Sequence, residues 1–165
     1  MTNSLPSNTD EKIYTRIGGW LILFAIGLVL YPVQTAVSLY TEVIPALSAE
    51  NWSRLTSPHS VAYHPLWAPL LIMETVANLC FLALSIWILV NFFRQCKFVP
   101  KLIIFFLTAN LVFVALDYYF IQRMLSATDP GNMAPTINFV RTLVASIIWI
   151  SYFLFSKRAR RTFIH

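Results

Sequence analysis

The chain has 165 residues, of which 58% are hydrophobic, 15% aromatic and 12% charged, with a mean hydropathy of +0.66. No water-soluble domain of this length needs so much apolar surface, so the composition excludes the ordinary soluble globular class. A formal net charge of +5 invites a nucleic-acid reading, but the placement of the basic residues along the chain argues against it.

Residues 1–12 are polar, contain Pro6 and show no periodicity, which reads as a disordered cytoplasmic tail. Residues 13–165 form one domain with four apolar stretches, at about 17–40, 67–93, 102–121 and 137–155. Each approaches or exceeds the roughly 20 residues needed to cross hydrocarbon as a helix. The fold expected is therefore all-α: an integral membrane four-helix bundle. The first stretch follows a short polar segment, as a secretory signal does. Its apolar run is longer than the roughly 7–15 residues of such a signal, and it is expected to stay as the first helix.

The connection 41–65 carries Pro45, Pro58 and Pro65, with Trp52, Tyr63 and Trp67 as interfacial aromatics. Leu47, Trp52 and Leu55 suit the apolar side of a short helix lying on the membrane. Between neighbours joined by shorter loops, a connection of this length is a candidate surface for a membrane-protein partner. The connection 126–136 contains Asp129-Pro130-Gly131, a turn signal, and Pro135 suits the first turn of the last helix.

Lys12 and Arg16 precede the first span, Arg94, Lys97 and Lys101 lie between the second and third, and Lys157, Arg158, Arg160 and Arg161 follow the fourth. Nine of the twelve basic residues thus fall on one side. By the positive-inside rule both termini are expected in the cytoplasm. The basic tail then sets topology and meets anionic headgroups of the lipid bilayer, with no nucleic acid implied.

Glu74, Asp117 and Arg141 are embedded in the second, third and fourth apolar stretches. An intramembrane charge is costly and marks a functional site when it has a partner. At 1.5 Å per residue, Glu74 lies roughly 10–13 Å, Arg141 about 9 Å and Asp117 about 5–8 Å below the outer boundary. Helical phase groups Glu74, Asn78 and Ser85; Asn110 and Asp117; Arg141, Ala145 and Tyr152; and Gly27, Tyr31, Gln34 and Ser38. One polar stripe per span argues for a closed bundle with the stripes inward. The expected buried polar cluster is Glu74, Asn78, Asp117, Arg141 and Gln34, with Glu74 and Arg141 as its ion pair.

That cluster supports two readings. In one it is a structural clamp in which the guanidinium serves one or two carboxylates. In the other, one cation facing two carboxylates leaves a negative charge unmatched, and the site exchanges protons or holds a polar ligand.

Other chemistry is thinly represented. Cys80 lies in a span and Cys96 in a cytoplasmic loop, without a C-x-x-C pair for quinone-coupled thiol chemistry. His59 and His64 share the outer loop with Glu42 and Glu50 but lack tight ligand spacing, so no metal is expected. His64, just before Pro65, reads as a residue at the headgroup level, and Tyr118, Tyr119 and Phe120 as an interfacial belt. No G-x-S-x-G, H-E-x-x-H or phosphate-binding glycine loop occurs; no catalytic residue and no cofactor are expected.

Ile17-Gly18-Gly19-Trp20-Leu21, the pair Glu74-x-x-x-Asn78, and Ile148-Trp149-Ile150-x-Tyr152-Phe153 followed by Ser156-Lys157-Arg158 and Thr162-Phe163 form a pattern over nearly the whole chain. It resembles the bacterial inner-membrane proteins catalogued as domain of unknown function 2569. The resemblance implies a four-helix inner-membrane protein with both ends in the cytoplasm, and no assigned activity. One departure is Ser151, where the family tends to carry a proline that would kink the last helix.

Three functions fit these observations. The leading expectation is a non-enzymatic accessory or assembly subunit, with a homo-oligomer also compatible. The second is a small transporter or proton-coupled conduit using the buried carboxylates, although short-looped helices without a broken span leave little room for alternating access. The third is a membrane enzyme acting on lipid or quinone, for which no catalytic constellation is present.

Overall fold

The computed structural model describes residues 18–60, 65–125, 133–156 and 162–163. The expected tail at 1–12, His64, the Asp129-Pro130-Gly131 turn and the basic run from Lys157 lie outside the described residues. The elements in chain order are α1 (Trp20–Ala46), α2 (Ala49–Thr56), α3 (Trp67–Phe93), α4 (Val99–Leu125) and α5 (Ala134–Phe155). Among the described residues there is no strand. Four helices, α1, α3, α4 and α5, are long and apolar enough to cross a membrane. The protein is an all-α four-helix membrane bundle.

α1 begins where Gly19 adopts φ 60°, a left-handed conformation that glycine takes without Cβ strain. It runs six residues past the sequence-predicted end at 40, passing through a π turn at Leu39–Val43. The continuation is possible because its polar groups are satisfied along the helix. Thr41 donates to the Val37 carbonyl at 2.9 Å, and Ser38 donates to the Glu42 carboxylate at 2.8 Å. Pro45 falls in the first turn of the last α-helical segment, where its missing N–H costs little. Thr41 to Ala46 therefore belong to a helix rather than to the long connection.

What remains of that connection includes α2, capped by Ser48, whose hydroxyl accepts from the Asn51 N–H. Trp52 and Leu55 are half-buried there, whereas Leu47 precedes the helix and is exposed. α4 is also longer than the apolar run alone predicts. Pro100 is accommodated at its first turn, and Arg123 near its far end donates to the Tyr119 hydroxyl at 3.0 Å with its guanidinium over the same ring.

α3 turns into α4 through Gln95, at φ 55°. The Gln95 and Cys96 N–H groups donate to the Phe92 and Asn91 carbonyls. This paired closure ends α3 as a Schellman motif, with glutamine in the left-handed position usually given to glycine.

The core is gathered at one end. Leu21, Phe24, Ala25 and Leu28 near the start of α1 pack with Ile88 and Phe92 near the end of α3, Val99, Ile103 and Phe106 near the start of α4, and Phe153 near the end of α5. Starts and ends alternate, so consecutive spans are antiparallel, and the start of α1 and the end of α5 lie at this end, here the terminal end; the opposite is the loop end. Apolar burial does not drive helices together in lipid, so the cohesion comes from interdigitation of rings. Phe24 lies at its centre, with ring centroids 6.0 Å from Phe92, 5.0 Å from Trp149 and 4.8 Å from Phe153.

The spans pack in chain order, α1 on α3, α3 on α4 and α4 on α5. α1 and α5 close the ring through Phe24 at the terminal end. Toward the loop end they contribute nothing comparable: α1 buries no residue between Leu28 and the π turn, and α5 none before Ser146.

Candidate functional site

The polar residues expected at the centre of the bundle lie in its loop-end half. Glu74 is about 10 Å along α3 from Trp67, Arg141 about 10 Å along α5 from Ala134, and Asp117 about 12 Å from the far end of α4. The three charges are therefore level. Glu74, Asn78 and Asp117 are half-buried, on faces turned toward the bundle. The carboxyl of Glu74 is within electrostatic reach of the carboxyls of Asp117 and Glu42, so its charged neighbours are acidic. Asp117 Oδ1 is buried without a hydrogen-bond partner among the described residues.

Arg141 and Gln34 depart from the expected cluster. Both are exposed, and among the described residues no ion pair joins Arg141 to Glu74. The cause for Arg141 lies in how α5 is seated. Phe139 stacks on Tyr118 of α4 at 5.1 Å and 12°, and Gln122 Nε2 donates to Thr136 Oγ1. These contacts fix the face that α5 turns to α4, and a residue two positions after Phe139 lies about 200° further round the helix. Gln34 lies one turn past Tyr31, the last α1 side chain before the π turn with a ring contact to another span.

Tyr31 makes a contact that sequence reasoning did not pair. Its hydroxyl accepts from Asn110 Nδ2 at 3.0 Å, and its ring meets Phe106 edge-on at 5.2 Å, linking α1 to α4 across the bundle. Both residues were on the predicted polar stripes. Their pairing depends on the relative height of two helices, which phase within one helix does not contain.

Among the described residues no three His, Cys, Asp or Glu side chains are grouped to hold a metal. Glu42 is coupled to Glu74 through its field and is hydrogen-bonded to Ser38. Cys80 is exposed and Cys96 half-buried, both as free thiols.

The model of a family described as "Protein of unknown function (DUF2569)" matches residues 14–164. The chain belongs to this family. It is also similar to the inner membrane protein YdgK of Escherichia coli (strain K12), 25% identical over 152 residues that cover 91% of this chain and 94% of the relative. No solved structure matches. With four apolar spans and an inner-membrane relative across almost its full length, this DUF2569 member is a multi-pass inner-membrane protein.

Proposed function

We propose that the protein is a non-enzymatic accessory protein of the inner membrane, with both termini in the cytoplasm, that binds a charged group from outside its own chain between α1 and α5 at the loop end. The observation carrying this reading is the charge arrangement. Among the described residues Glu74 and Asp117 have acidic neighbours and no cation on them, while Arg141, level with them, is exposed and makes no ion pair. Buried carboxylates and an arginine at membrane depth are normally paired, so a polar group of a ligand or partner is the natural complement. The excess of basic residues at the terminal end supports the orientation, which puts the site on the periplasmic side.

A photo-crosslinking amino acid at Gln34, activated in native membranes, tests this. An adduct that disappears in Glu74→Gln supports the reading. Absence of any adduct, with the protein folded and inserted, overturns it.

A second reading, a proton-coupled conduit, is favoured by the proximity of Glu74 and Asp117 on adjacent spans. Proton flux into vesicles containing the purified protein, abolished by Glu74→Gln, distinguishes it from binding alone.

A further inference from the structure

A cavity of about 160 Å³ lies at the loop end between α3 and α4, lined by Leu66 just before α3, Pro69, Leu70 and Met73 in its first two turns, and Phe120 of α4. All five side chains are apolar. Met73 is six residues past Trp67, so the cavity reaches about 9 Å below the loop-end limit of the spans. It is separate from the α1–α5 site: Tyr118 faces α5 through its stack on Phe139, and Phe120 lies about 200° further round α4.

A cation stands beside this cavity at the limit of the spans. Arg123, the last residue of the α4 span, is exposed, one turn above Phe120 and about 60° round the helix from it. Its guanidinium lies 5.3 Å over the Tyr119 ring and donates to the Tyr119 hydroxyl at 3.0 Å, and the Tyr119 ring is 5.6 Å from that of Phe120. The guanidinium is thus held in place two rings from the cavity. Only one of its N–H groups is used there, and among the described residues no carboxylate pairs with it.

We propose that the α3–α4 cavity takes an acyl chain of an anionic phospholipid from the leaflet on the loop-end side, with the phosphate on Arg123. This goes beyond the α1–α5 reading and does not depend on it. Three features select the chemistry. The first is charge: an exposed guanidinium at headgroup level, fixed by Tyr119 and lacking an anion from its own chain, matches phosphate in geometry and sign. The second is the order of polarity, with the cation at the limit of the span, the rings of Tyr119 and Phe120 next, and the apolar cavity beyond them. That is the order of headgroup and chain in a phospholipid, and a cavity of this size is as large as one that holds a benzene ring. The third is the absence of a carboxylate on Arg123 among the described residues. An ethanolamine ammonium would find no partner there and be repelled by the guanidinium, so a headgroup with net negative charge, as in phosphatidylglycerol, is favoured.

Native mass spectrometry tests this on full-length protein reconstituted in nanodiscs of equal parts phosphatidylglycerol and phosphatidylethanolamine and released into mild detergent. One phosphatidylglycerol is expected to stay bound in preference to the ethanolamine lipid. Arg123→Gln, at an exposed position, should lower its retention about tenfold, the loss of a charge-assisted contact, and bring the two lipids level. Met73→Trp should expel the lipid by filling the cavity. The thermal midpoint reports whether that variant is folded, and Leu66→Trp, outside the helix, takes its place if overpacking unfolds it. Glu74→Gln should leave retention unchanged. Equal retention of both lipids by the unmodified protein overturns the proposal. So does a preference that survives Arg123→Gln, which would put the lipid on the basic terminal end, and so does retention indifferent to the filled cavity in a folded variant. A lipid lost in Glu74→Gln would belong to the α1–α5 site and overturn it as well.

Discussion

Replacing Phe24 by alanine tests whether the bundle is held at its terminal end. Phe24 is 7% exposed and makes three ring contacts, with Phe92 on α3 and with Trp149 and Phe153 on α5. Each aromatic pair of this kind contributes about 0.5–1.5 kcal/mol beyond area burial. The transfer term that raises a Phe→Ala change to about 3–5 kcal/mol in a water-soluble core is largely absent in lipid. The expected loss is therefore about 2–4 kcal/mol, most of it in the α1–α5 closure. Titrating detergent-solubilised protein with dodecyl sulfate, read by tryptophan fluorescence, measures it, since Trp149 reports from beside the substituted ring. Ile26→Ala, at a side chain 53% exposed, is the control and should cost less than about 0.5 kcal/mol. A Phe24→Ala loss no larger than that of the control would refute a terminal-end core built on this ring.

Three further outcomes are expected. A double-mutant cycle of Tyr31→Phe and Asn110→Leu should return a coupling of about 0.6 kcal/mol, the usual worth of a hydrogen bond between membrane helices, and a coupling of zero would mean the 3.0 Å contact contributes nothing. Glu74→Gln and Arg141→Gln should add within about 0.5 kcal/mol in the same denaturation assay, because the two do not pair; a larger coupling would restore the ion pair. Gly27→Ala should hold or raise stability by up to about 1 kcal/mol, since the new methyl meets no atom and the helix loses a glycine; a clear loss on thermal unfolding would show that the space beside Gly27 is filled by protein.

The spans were legible in the sequence because hydropathy acts over twenty residues and lipid tolerates little else. Helical phase grouped Glu74 with Asn78 and Asn110 with Asp117, since phase within one helix is local geometry, and all four are half-buried. The exposure of Arg141 and Gln34 was not legible. Where they point depends on how α5 is rotated by the Phe139–Tyr118 stack and on α1 burying no residue between Leu28 and the π turn, both properties of helix pairs. The extension of α1 through Glu42 was hidden for another reason. Thr41 and Glu42 look like loop residues by hydropathy, yet the first bonds a carbonyl one turn back and the second accepts from Ser38 within the same helix.

The most direct measurement is site-specific thiol labelling in spheroplasts with a membrane-impermeant maleimide, in a background where Cys80 and Cys96 are replaced by alanine. Cysteines placed at Gln34, Asn138 and Arg141, all exposed, should react from the outside if the proposed site between α1 and α5 opens to the periplasm. A cysteine at Leu28, 4% exposed in the core, should not react. Protection of all three loop-end positions, or their labelling only after the membrane is opened from the cytoplasmic side, would contradict an outward-facing recess.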